Sequence, residues 1–153
     1  MNPFDPKAAL LAKHAQHVVL VHFPVALFLT GVAFDLTARW TKKATRRTTL
    51  SAAARLNIFA AAVSVVPTLA TGIAAWQWQL GGHKLRGMAL LHAGLGSATS
   101  FLICLVAWIR FRDRTESGSA LPGYYLALEI LTTVVVALTA HIGGFLSGVN
   151  VPG

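Results

Sequence analysis

The residues of this 153-residue chain best equipped for chemistry are six histidines: His14, His17, His22, His83, His92 and His141. Imidazole is the commonest metal ligand, and its charge ordinarily changes near neutral pH. His22, His92 and His141 each stand four or five residues inside a long apolar run. At about 1.5 Å per residue they enter an apolar slab by roughly 6–8 Å. They come from three different runs and enter from the same side. An ionisable side chain at that depth is costly and faces other protein rather than lipid, so three imidazoles at one level read as a ligand site. The plainer reading is hydrogen bonding between helices, the usual role of a single buried histidine.

Zinc and copper sites commonly add carboxylates or thiolates to imidazole. This side of the chain offers only Asp5, far out near the start, and the lone Cys104 lies mid-run as an apolar packing residue. A three-histidine transition-metal site stays geometrically open. Haem suits the pattern better, because its iron takes one or two axial imidazoles and helix bundles build such sites in their cores. The expectation is a haem b with His22 and His92 as axial ligands from diagonal helices. His141 serves as a hydrogen-bonding partner or alternative ligand, with His17 next in line. Arg86, with Lys84, lies where propionates would emerge. Small neighbours such as Gly72, Ala93, Gly94, Gly143 and Gly144 leave room for a flat ring, although they also let membrane helices pack closely without one. Pro24 frees the carbonyl of Leu20, and the resulting bend aims His22 inward or is an ordinary kink.

Four elements must position these residues. The chain is 55% hydrophobic and 12% charged, with mean hydropathy +0.62. A soluble domain carries about 25% charged residues, so lipid must solvate part of this surface. The net charge of +8 sits between apolar runs rather than along one face, which reads as membrane topology and not as a nucleic-acid interface. Four stretches reach the ~20 residues a spanning helix needs: about 17–40, 56–80, 88–109 and 121–145. The fold class is all-α, an integral membrane up-and-down four-helix bundle forming one domain over 1–153, without repeats. Residues 5–16 form a short interfacial helix, and the first span reads as a retained anchor rather than a cleaved signal. Trp40, Trp76, Trp78 and Trp108 fall at span ends, where indole prefers the headgroup level.

The side carrying the 40–55 and 110–120 loops holds Arg39, Lys42, Lys43, Arg46, Arg47, Arg55, Arg110, Arg112 and Arg114. The other side holds Lys7, Lys13, Lys84 and Arg86. The richer side faces the cytoplasm, which puts both termini and every histidine at the extracytoplasmic face. Asp35 and Glu129 enter the cytoplasmic half, where Arg55 or Arg39 would pair with them. The alternative is a proton entrance, but no polar chain links these acids to the histidine side, which argues against a channel or pump.

The run HVVLVHFPVALFLTGVAFDL, His17 to Leu36, resembles the opening of a bacterial family of small predicted membrane proteins of unknown function. Its signature is His-x4-His-Phe-Pro, followed by a Thr-Gly late in span two (Thr71, Gly72), a histidine opening span three (His92) and a Gly-Gly-x-Leu close (Gly143, Gly144, Leu146). The resemblance covers nearly the whole chain. Here Val18 stands where members often have Pro, and Ala74 and Ala75 stand where an acid often follows the Thr-Gly, so those details do not carry over. The family occurs fused or adjacent to Rieske and cytochrome c domains, which implies redox work near the outer face of the bacterial inner membrane. The expected function is a haem b electron-transfer subunit of a respiratory or dehydrogenase complex, not a catalyst alone. The rivals are a cofactor-free structural or assembly subunit and a transition-metal-binding membrane protein.

Overall fold

The computed structural model describes residues 15–79, 81–112 and 122–147. They form four helices: α1 (Ala15–Trp40), α2 (Ala44–Gln79), α3 (Gly87–Arg112) and α4 (Gly123–Leu146). Each is long and apolar enough to cross a membrane. α1 packs most broadly on α2 and α3 on α4, with narrower α2–α3 and α1–α4 faces. The result is an up-and-down ring in which α1 and α3 lie diagonally opposed.

Inward-facing positions recur at alternating steps of three and four, the 3.5-residue period that keeps a seam on its neighbours. α2 shows it plainly: Ser51, Ala54, Ile58, Ala61, Val65, Thr68 and Gly72 are all at least half-buried. The bundle is apolar outside and partly polar inside. Val19, Phe23, Leu56, Val66 and Phe101 are each more than half exposed, while Asp35, Thr99, Arg110, Glu129, Thr132 and Thr139 are buried. Such an apolar exterior would aggregate in water and is natural in lipid. Trp40 and Trp108 end their helices at one side and Trp78 at the other, all well exposed, as interfacial anchors should be. Between α2 and α3 the chain reverses through Gly81 and Gly82, whose φ of 58° and 66° side chains rarely adopt. The Gly82 N–H closes the end of α2 on the Trp76 carbonyl (3.3 Å), and the Trp76 indole N–H holds the loop at the His83 carbonyl (2.9 Å).

Two expectations change. α2 begins at Ala44, not near Leu56. The basic stretch before the apolar run contains no Gly or Pro and is rich in Ala and Arg, both strong helix formers, so only 41–43 remain as the α1–α2 connection. Arg110 is not a loop cation: it lies inside α3 and is 7% exposed. The segment 5–16 expected at the interface lies, apart from its last two residues, outside the described residues.

Candidate functional site

α1 and α3 carry two polar residues each at the same interval. His17 and Asp35 are 18 positions apart, as are His92 and Arg110. Eighteen residues make five full turns and about 27 Å, so each pair shares one helix face. Because α1 and α3 run the same way, the two histidines meet at one end of the bundle and the two charges at the other.

At the histidine end, the His17 and His92 rings stand edge to face, with centroids 6.5 Å apart and planes at 80°. His17 is fixed from behind. Its Nδ1 lies 3.1 Å from the Thr68 carbonyl, which can only accept, so Nδ1 carries the proton and neutral Nε2 keeps its lone pair. The Thr68 hydroxyl lies 3.3 Å from the Leu20 carbonyl, the very carbonyl that Pro24 leaves without a helical donor. The carbonyl freed by Pro24 therefore ties α1 to α2 close to His17, and His22 stays exposed.

Each ring rests on a glycine of its hairpin partner. A Cβ on Gly72 would stand 3.0 Å from His17 Cε1, and one on Gly143 3.0 Å from His92 Cε1. Each glycine follows a buried threonine by four positions, Thr68 and Thr139. The α1–α2 and α3–α4 hairpins thus repeat one arrangement, a histidine on a Thr-x3-Gly stripe, that general residue identity does not reveal. They differ in one respect: His92 Nδ1 is buried without a hydrogen-bond partner, while the Thr139 hydroxyl meets that of Thr99 at 2.8 Å.

The remaining histidines lie elsewhere. His22 is exposed, its Nδ1 2.6 Å from the Val18 carbonyl of its own helix. His141 is exposed and edge-on to Phe145, centroids 5.0 Å apart. His83 and Arg86 are exposed in the loop before α3. His14 lies outside the described residues. The structure therefore brings His92 together with His17, while His22 and His141 are exposed.

At the charged end, Arg110 Nη2 donates to Asp35 Oδ1 at 2.8 Å and lies 3.1 Å from Ser51 Oγ. The guanidinium also sits 5.3 Å from the centre of the Tyr125 ring, a cation–π distance. Asp35 thus pairs with Arg110 rather than with Arg39 or Arg55. Those two are exposed, while Arg110 projects from the facing stripe at matching depth.

An apolar exterior, four spanning helices and a partly polar interior define an all-α integral membrane protein. The chain belongs to the family described as predicted membrane protein (DUF2231), whose model matches residues 13–150. No curated protein and no solved structure matches it.

Proposed function

We propose that the chain is an electron-transfer membrane subunit in which His17 and His92 hold the iron of a b-type haem between α1 and α3. The supporting observation is the pair itself: two imidazoles from diagonal helices, centroids 6.5 Å apart, one already oriented by a backbone carbonyl. Metal–imidazole bonds are about 2 Å long, and two of them with their rings span roughly this separation. A ring nitrogen held by a carbonyl is the usual support of a ligating histidine, fixing the tautomer and raising the basicity of the opposite nitrogen. Among the described residues no group of three or more His, Cys, Asp or Glu side chains is arranged to hold a metal ion. Two protein ligands leave a bare ion under-coordinated, whereas a porphyrin brings four nitrogens of its own. The haem supplies a one-electron iron couple when bound.

The protein's part is to present Nε2 of His17, to shelter both rings, and to offer Arg86 on the same face as a cation for a propionate. With Arg110 inside the bundle, eight basic residues still flank the charged end against four at the histidine end. The histidine end is accordingly extracytoplasmic, and both termini with it, in a bacterial inner membrane. The redox partner is then an extracytoplasmic carrier within a larger complex, such as a cytochrome c or Rieske protein. Cysteines engineered at Lys43 and His83 test the orientation: labelling from outside is expected at 83 and not at 43, and the reverse would overturn it. A reduced-minus-oxidised absorbance spectrum of protein purified after haem-replete expression tests the cofactor. A b-type band is expected. Its absence would leave the histidines as bonds between helices, as His17–Thr68 already is.

A further inference from the structure

At the charged end four side chains converge from three helices: Asp35 of α1, Arg110 of α3, and Tyr125 and Glu129 of α4, none more than 7% exposed. The Asp35 Oδ1–Arg110 Nη2 contact uses one oxygen and one nitrogen. Asp35 Oδ2, Arg110 Nη1, Tyr125 Oη and both carboxyl oxygens of Glu129 are buried without a hydrogen-bond partner. Glu129 lies within electrostatic range of Asp35, Arg110 and Tyr125. α2 adds Ser51, whose hydroxyl and carbonyl face Arg110 Nη2, and the exposed Arg55 beside Arg110.

Counting protons decides what this cluster holds. With both acids ionised, two carboxylates would share one guanidinium inside the membrane, and Glu129 would keep its charge with only the Tyr125 hydroxyl placed to donate to it. An uncompensated buried charge of that kind is among the costliest features a protein can carry. A proton on Glu129 removes the excess charge. It also supplies the missing donor, since the carboxyl O–H can bond Asp35 Oδ2 while the other Glu129 oxygen accepts from the Tyr125 hydroxyl. We propose that Asp35 and Glu129 form a proton-binding site, with one proton held between the two carboxyl groups, carried on Glu129, and Arg110 balancing the charge that remains. A cavity of about 250 Å³ between α2 and α3, bordered by Arg55, Phe59 and Phe111, reaches Arg110 but is lined by neither carboxyl group. The site does not depend on the histidine pair or on any cofactor there.

Infrared spectroscopy of the full chain in lipid vesicles tests it, and the chain's five acids keep the carboxyl region simple. The parent should show a protonated-carboxyl carbonyl band at neutral pH that shifts in heavy water. Glu129→Gln should remove it. Asp35→Asn should also remove it, because Glu129 then becomes the only carboxylate facing Arg110 and ionises. A parent without the band, or a band that survives Glu129→Gln, would overturn the proposal. Glu129→Gln keeps a neutral group able to donate and accept, so it should melt within about 3 °C of the parent. A larger loss would mean that the ionised carboxylate had been holding Arg110, and would also overturn the proposal. Should that variant not fold, the parent band and its heavy-water shift decide alone.

Discussion

The two ends of the α1–α3 diagonal use the same register for opposite purposes. At the charged end the facing groups touch, Arg110 to Asp35 at 2.8 Å, and the contact joins two helices that share little other surface. At the histidine end the facing groups stop short, 6.5 Å apart between ring centres, and each is held from its own side by a glycine of its hairpin partner. A closed pair clamps the bundle. On the proposed reading the open pair, supported from behind, takes a haem between its members, and one bundle then separates a fastening from a site.

The strongest way to break this contrast is to remove the clamp. Arg110→Leu strands Asp35 as a buried charge and should cost about 3–5 kcal/mol, read from thermal or denaturant unfolding in detergent. An effect below about 1 kcal/mol would show that the ion pair does not fasten α1 to α3. Next in size is the backing of the rings. Gly72→Ala and Gly143→Ala each place a methyl 3.0 Å from a histidine carbon and should cost about 1–3 kcal/mol through overpacking. They should also disturb any haem spectrum, which Arg110→Leu in a still-folded sample should not. Thr99→Val removes a bond between helices but leaves Thr139 its Val135 carbonyl. A loss of about 0.6 kcal/mol is expected. His22→Ala, on the outer surface, should change stability by no more than about 0.5 kcal/mol.

Apolar runs, aromatic ends and the scarcity of charge made the four-helix membrane fold legible in the sequence. The site was half legible. Depth along each span grouped His22, His92 and His141, and depth is the coordinate that hydropathy supplies. Face separates them: His22 lies five residues beyond His17, about 140° around the helix, while His17 shares its face with Phe28 and Asp35. The interval of 18 residues, repeated from His92 to Arg110, was present in the sequence and would have named the two histidines that meet. Ending span three at Ile109 hid it by assigning Arg110 to a loop. The link from Pro24 through Leu20 and Thr68 to His17 was not legible, because it depends on how far α1 and α2 are shifted along each other. No local pattern sets that shift. The unpartnered oxygens of Glu129 were equally hidden, since three helices must meet before any of them is shown to lack a donor.

The most direct measurement is the reduced-minus-oxidised spectrum across single histidine variants, each checked by gel filtration in detergent. His17→Ala and His92→Ala should each abolish or strongly shift the low-spin haem band. His141→Ala and His22→Ala should leave it close to the parent's, and His83→Ala should leave it unchanged. A band that survives loss of His17 and vanishes with His22 would contradict the pairing of α1 and α3 through His17 and His92.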